Sequence, residues 1–365
     1  MFKRRNAVSA LAAAALAVTG FVATTPAHAA AGFVGVILPD AASSNRWESA
    51  DRPFLTKAFA AAGVAVKIQN ANGDKAAFAT IADQMLTQGA KVLVTVNLDS
   101  PSSKAVQDKA KKQGVPTIDY DRLTLGGSES YYVSFDNVAV GVLQGTGIVN
   151  CLKAKGVKAP RIVYLNGSPT DNNATLFAKG YKSVVGPYIT ANKGTVVADQ
   201  AVPNWDNVQG GTIFEQMLTK AGGKLDAVVS ANEGLGLAAV AVLKKNGLNG
   251  KVCVSGQDAS DAGLAAIITG DLSNTVYKAV KQEANATAAL AVALFKGQKA
   301  TAATGMTNAG TSTAKLTGTN NIPSVLLVPV GITKANVSAV TADGYTTRAK
   351  ICAIATEAAC KAAKF

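Results

Sequence analysis

The sequence predicts an α/β protein of two doubly wound parallel-sheet domains, joined by a hinge that the chain crosses more than once. Three observations predict it. Short continuous runs of Val, Ile and Leu alternate with amphipathic stretches at helical spacing, the pattern of parallel strands covered on both faces. This alternation runs to Asn137 and then restarts, giving two series of roughly 110 to 130 residues, each of ordinary domain size. A last apolar run, 324–329, stands alone beyond a polar, Gly- and Thr-rich stretch at 301–321, so it must pair back into an earlier sheet.

In chain order, 32–38 is an apolar strand, 45–62 an amphipathic helix and 64–69 a second strand. The helix at 74–88 carries Phe78, Ile81, Met85 and Leu86 on one face and closes at Gly89. Strand 92–96, helix 102–113 and strand 115–120 complete the first series, and 131–135 is a further extended run. The second series reads as helices at 138–154, 174–185, 208–221, 235–245 and 262–268, alternating with strands at 161–165, 195–202, 226–230, 251–255 and 274–277. A long helix, 280–295, follows. The stretch 301–321 reads as a loop, and the Lys- and Ala-rich tail, 345–365, as helix.

The ends of the chain and its composition narrow the function classes. Lys3, Arg4 and Arg5 precede an Ala-rich apolar run that ends in Ala27-His28-Ala29, so residues 1–29 read as a signal peptide and the protein as exported to the periplasm or cell envelope. The net charge is +13, but the lysines are scattered and aromatic residues make up only 6% of the chain, so no nucleic-acid surface is expected. The single histidine, His28, lies inside the leader. The rest of the chain therefore has no Ser-His-Asp or Cys-His catalysis and no histidine metal site. Four cysteines in an exported chain imply disulfides with three possible pairings. Proximity favours Cys352 with Cys360, which leaves Cys151 and Cys253; Cys253 alone also reads as a small buried residue of its strand.

The polar residues are informative by position. Asp40, Asn70, Asn97, Asp121, Arg122, Asn166, Trp205, Asn232, Asp258 and Lys278 all fall at or just past the carboxyl ends of strands, where open α/β sheets bind ligands. For Asp40, Asn70 and Asn97 a cap or turn role is expected. Asp121, Arg122, Asp258 and Lys278 read as ligand groups, because caps need neither cations nor adjacent opposite charges. Such groups hold neighbouring hydroxyls, and the two tryptophans, Trp47 and Trp205, each in a short polar segment, would stack on the C–H faces of a sugar ring. One other motif, Gly234-Leu-Gly236-Leu-Ala-Ala239 after a strand, has the form of a dinucleotide loop, but in the second series rather than the first βα turn.

Six segments carry a specific resemblance: Asn45-Arg46-Trp47, Tyr120-Asp121-Arg122, Ser134-Phe-Asp-Asn137, Gly167-Ser-Pro-Thr-Asp-Asn-Asn-Ala174, Ser255-Gly-Gln-Asp-Ala259 and Thr275-Val-Tyr-Lys278. In their content and order the chain resembles the periplasmic xylose-binding proteins of ABC importers, within the type I sugar-binding family. Departures are Val96-Asn-Leu-Asp99, Ala231-Asn-Glu233, the 301–321 insert and the cysteine-bearing tail. The resemblance implies a periplasmic binding protein-like fold of type I. One lobe would span 30–136, completed by roughly 279–305, and the other 137–278, completed by roughly 322–365. It implies sugar contacts from Arg46, Trp47, Asp121, Arg122, Asn172 or Asn173, Trp205, Asn232, Asp258 and Lys278. The ligand would be a monosaccharide, D-xylose or a related aldose, with no cofactor, no metal and no catalysis. The partner would be a membrane ABC permease, or alternatively a chemoreceptor or sensor kinase, and the protein a monomer. An NAD-dependent or glycoside-active enzyme is the less favoured reading.

Overall fold

The computed structural model describes residues 32–128, 130–298, 300, 311–312 and 322–365. The expected signal peptide and nearly all of the expected 301–321 loop lie outside these residues. In chain order the elements are β1 (Phe33–Leu38), α1 (Arg52–Ala61), β2 (Val66–Asn70), α2 (Lys75–Thr87), β3 (Ala90–Thr95), α3 (Ser100–Lys112), β4 (Thr117–Tyr120), β5 (Tyr131–Phe135) and α4 (Asn137–Ala154). Then come β6 (Arg161–Asn166), α5 (Asn172–Ala191), β7 (Thr195–Ala201), α6 (Asn207–Lys220), β8 (Ala227–Ser230), α7 (Glu233–Lys245), β9 (Cys253–Val254), α8 (Asp261–Thr269), β10 (Thr275–Tyr277) and α9 (Val280–Phe295). The chain closes with β11 (Thr311–Ser312), β12 (Ser324–Leu327), β13 (Val330–Ile332), α10 (Ser338–Ala342), α11 (Arg348–Ala355) and α12 (Glu357–Ala362).

Two parallel sheets organise these elements. The first has the order β11-β12-β5-β4-β3-β1-β2, with only β11 antiparallel; the second has the order β7-β6-β8-β9. A bridge from Ser255 to Asn274 continues the second sheet toward an antiparallel pair, β10 and β13. The side chains of β1 and β8 are buried on both faces, as their unbroken apolar runs require. Most helices begin where a side chain satisfies the free backbone N–H groups: Asp74, Asp99, Asp136, Asp171, Asp206, Asn232 and Ser260 each accept from the first turn that follows. Helices α4 and α5 touch backbone to backbone. A Cβ at Gly141 would meet Phe177 O at 2.1 Å, and one at Gly180 would meet Val138 O at 2.2 Å.

The structure corrects one expected boundary. The run 322–365 is not a single appendage of the second lobe: β12 pairs parallel with β5 in the first sheet, and only from Val330 does the chain rejoin the second. The path therefore passes between the sheets three times, after β5, between β10 and α9, and between β12 and β13. A second departure is local. The expected helix at 45–62 is split, and residues Trp47–Asp51 form a wide π-helical turn in which Arg52 N–H bonds to Trp47 O. Pro53 follows at the start of α1 and has no N–H to close an ordinary turn.

Both disulfides form as proximity suggested, Cys151–Cys253 joining α4 to β9 and Cys352–Cys360 joining α11 to α12. They close loops of very different size, with separations of 102 and 8 residues. Loop-closure entropy makes the long loop the more stabilising, at about 2–5 kcal/mol. Serine at both Cys151 and Cys253 is therefore expected to lower the denaturant midpoint more than serine at both Cys352 and Cys360. Equal losses in the two double variants would contradict this. Among the described residues no helix is long and apolar enough to cross a membrane.

Candidate functional site

The site grows from the carboxyl end of β4. Asp121 leaves the strand with φ 62°, a left-handed backbone that a non-glycine residue adopts only when its surroundings enforce it. Here they do. Its N–H bonds to Val133 O at 2.8 Å, and its carbonyl accepts from Tyr132 Oη (3.0 Å), Ser134 Oγ (2.8 Å) and Asn173 Nδ2 (3.0 Å). The bend aims the carboxylate between the sheets. Arg46 Nη1 donates to its Oδ2 at 2.8 Å and Lys278 Nζ at 2.9 Å, while Asn173 Nδ2 reaches Oδ1 at 3.0 Å. Burial alone would raise the pKa of this carboxyl, but Lys278, Arg46 and Arg122 outweigh it and hold the group well below the usual carboxylate range.

Arg122 turns the other way. Its Nε lies 3.0 Å from Asp171 Oδ2, its Nη2 donates to Ser43 Oγ at 3.3 Å, and its guanidinium carbon sits 5.3 Å from the centre of the Trp47 ring. Asp171 also accepts from Trp205 Nε1 at 3.1 Å. Trp205 has a left-handed backbone, φ 56°, and its indole lies flat over Gly167, where any Cβ would come within 2.0 Å of the ring. From the second sheet, Asp258 arrives with φ 128°; its carboxylate accepts from Ser44 Oγ (3.1 Å) and Gln257 Nε2 (2.7 Å). Burial raises the pKa of Asp258, against the pull of Lys278 and Arg46.

These side chains enclose a small, tightly closed cavity of ≈ 30 Å³. Of the residues expected to hold a ligand, Arg46, Trp47, Asp121, Arg122, Asn173, Trp205, Asn232, Asp258 and Lys278 all line it. Asn172 does not. It stands one residue before Asn173 on α5, so the helix turns its side chain elsewhere, and its buried Nδ2 has no hydrogen-bond partner. The structure adds Ser43, Ser44, Asp171, Phe177 and Gln257 to the lining. Asp171 has the sequence signature of a helix cap and is one, but its second oxygen serves the site. Phe177 falls one helical turn after Asn173 and so shares its face.

One expectation about the strand ends needs correction, and the disfavoured dinucleotide motif has a structural account. Asn97 does not cap or turn: Asp99 caps α3, and Asn97 Nδ2 instead bonds to Arg122 O (3.3 Å) and Thr124 Oγ1 (3.2 Å), holding the Arg122 segment in place. The glycines of the 234–239 motif serve packing. A Cβ at Gly236 would meet Ser230 Oγ and Ser255 O at 2.8 Å, and one at Gly234 would meet Asn207 Oδ1 at 2.3 Å. Among the described residues no group of His, Cys, Asp and Glu could hold a metal ion.

Donors and acceptors both line the cavity, together with two indoles and a phenyl ring, and among the described residues Arg122 and Lys278 have more N–H groups than hydrogen-bond partners. Neighbouring hydroxyls that both donate and accept suit such a wall. Comparison with known proteins agrees with this geometry. The model of the periplasmic binding protein domain matches residues 34–299. The D-xylose-binding periplasmic protein of Escherichia coli (strain K12) is 35% identical over 320 residues, covering 87% of this chain and 92% of that one. The chain belongs to the type I periplasmic sugar-binding proteins. The multiple sugar-binding periplasmic receptor ChvE of Rhizobium radiobacter is 34% identical to this binding protein over 356 residues, 93% of this chain and 97% of that one. An ABC transporter solute binding protein from Clostridium phytofermentans, solved with bound β-D-glucose, superposes with a TM-score of 0.77 at 28% identity, covering 87% and 99% of the two chains. These relatives bind substrates and are not enzymes, which sets aside the dehydrogenase and glycosidase readings.

Proposed function

We propose that this binding protein is exported, captures one monosaccharide between its two sheet-based lobes, and delivers it to the permease of an ABC importer. D-xylose or a closely related aldose is the ligand. The observation that carries this reading is the ring formed by Asp121, Arg122, Asp258 and Lys278 around one small cavity, closed by Trp47 and Trp205. Charged groups held in fixed orientation bind paired hydroxyls strongly, and the indoles cover the apolar ring faces. The names of the E. coli relative and of the glucose-bound structure support a monosaccharide ligand. Three chain crossings between the sheets provide the hinge about which such lobes close. The receptor named among the relatives supports a second reading, in which the loaded form docks on a signalling receptor.

A pentose of ten heavy atoms at about −0.8 kcal/mol per atom gives a Kd near micromolar. A thermal-shift screen across D-xylose, L-arabinose, D-glucose, D-galactose and D-ribose tests the reading. At a hundredfold excess over Kd the preferred aldose contributes about 2.7 kcal/mol of stability, and a rise in Tm of several degrees is expected. A flat response to every aldose would overturn the proposal.

A further inference from the structure

Behind Arg46, away from the cavity, lies a second ring of charge that does not line it. Arg46 Nε and Nη2 donate to Asp51 Oδ2 (2.9 Å) and Oδ1 (2.7 Å), and Nη2 also reaches Glu283 Oε2 at 2.8 Å. Tyr120 Oη adds a third donor to Asp51 at 2.6 Å. Neither Asp51 nor Glu283 lines the cavity, and both are fully buried. Four of the five N–H groups of Arg46 are therefore committed, three of them to this rear pair, and its orientation toward Asp121 is set from behind.

We propose that Glu283 is a positioning residue for ligand binding: held as the neutral acid, it fixes Arg46 against Asp121, and its ionisation weakens sugar affinity at alkaline pH. This rests on the sugar reading above and extends it to how the site is held.

The charge count argues for the neutral form. Arg46 and Lys278 already face Asp51 and Asp121, whose oxygens accept from donors on every side. An ionised Glu283 would add a buried charge with no cation left to match it. Its Oε1 has no hydrogen-bond partner, which an acid tolerates better than a carboxylate does. The groups facing it are Arg46 and Asp51 from the π-helical turn, Tyr120 and Asp121 from the end of β4, Tyr132 from β5 and Lys278 after β10. Strands β1 and β12, which also pack on α9, carry no titratable side chain; Lys91 of β3 and Lys57 of α1 are exposed, Arg52 of α1 is paired with Glu48, and Asp119 of β4 accepts from Gln107 and Thr124. Burial first, then Asp121, push the Glu283 carboxyl up to about 8, against Arg46 and Lys278. Above that pH the new charge competes with Asp121 for Arg46 and turns the guanidinium away from the cavity.

The sign for stability follows. A carboxyl raised in the folded state binds a proton that the unfolded chain has already lost, so its contribution falls as pH rises from about 4.5 through about 8. Glu233, which burial pushes up to about 7, contributes a slope of the same sign to every variant and cancels in comparison.

The test measures sugar affinity by calorimetry, and Tm without sugar, from about pH 6 to about pH 9. The full chain is used with Glu283→Gln and Glu283→Ala. The wild type is expected to lose about three- to tenfold in affinity between about pH 7 and about pH 9. Glu283→Ala should bind more weakly at every pH. Glu283→Gln, the isostere of the acid, should recover most of that loss and show no alkaline fall. Without sugar, the Tm of the wild type should decline with pH more steeply than that of Glu283→Gln. Parallel affinity profiles, or coincident Tm curves, would overturn the inference. If the wild type binds no aldose, the sugar reading falls instead, and the Tm comparison alone decides the state of Glu283.

Discussion

Alanine at position 121 is expected to abolish sugar binding and to lower Tm as well. The carboxylate of Asp121 ties the two sheets together: it takes Arg46, which follows β1 of the first, and Lys278 and Asn173, which follow β10 and β6 on the side of the second. Removing it leaves two buried cations facing each other, and breaking one partner out of a buried pair costs about 3–5 kcal/mol. The sugar loses both an acceptor and the two donors that Asp121 holds in place. A loss of more than about a thousandfold, or about 4 kcal/mol, is expected, enough to remove the saturable heat in calorimetry. Asp121→Asn separates the causes. It keeps the shape and a carbonyl for Asn173, so stability should recover more than affinity does. Sugar affinity within about threefold of wild type in both variants would remove Asp121 from the centre of the site.

Arg122→Ala should behave differently, weakening sugar binding by about a hundredfold or more while the fold survives. Its main partner, Asp171, keeps the N–H of Trp205 and the N–H of Asn173, so no carboxylate is left without donors. Burial already raises the pKa of Asp171, so the group can take up a proton when its cation is removed. The expected record is an unchanged circular dichroism spectrum, a Tm within a few degrees of wild type, and calorimetric affinity lost. Arg122→Lys should rescue only part of it, because a lysine cannot reproduce the planar fork that spans Ser43, Asn97 and Asp171. Full affinity in Arg122→Lys would mean that charge alone matters there.

Much of this was legible in the sequence because the signals are local. Strands buried on both faces need unbroken apolar runs, and helices need caps, so strand ends, and the polar residues just past them, could be located without coordinates. That is why Asp121, Arg122, Asp258 and Lys278 were found. The misses have equally definite causes. Asn97 and Asp171 belong to a residue class that caps helices, and only three-dimensional contacts separate a cap from a brace or from a residue that does both. Asn172 and Asn173 are identical in type, and a rotation of one helical step decides which faces the cavity. The wide turn at Trp47–Asp51 depends on Pro53 and on the space beneath it, which periodicity does not report.

The sequence by itself determined the α/β class and the doubled series, favoured the pairing of the cysteines by proximity, and placed half of the residues around the cavity by their position at strand ends, the resemblance adding Arg46 and Asn173. Only the tertiary structure decided that β12 completes the first sheet, that Asp121 bends into a left-handed backbone, and that Glu283 meets Arg46 across 237 residues of chain. Such pairings depend on how the two sheets are brought together, and that path is set by the summed burial of the whole core rather than by any short stretch of residues.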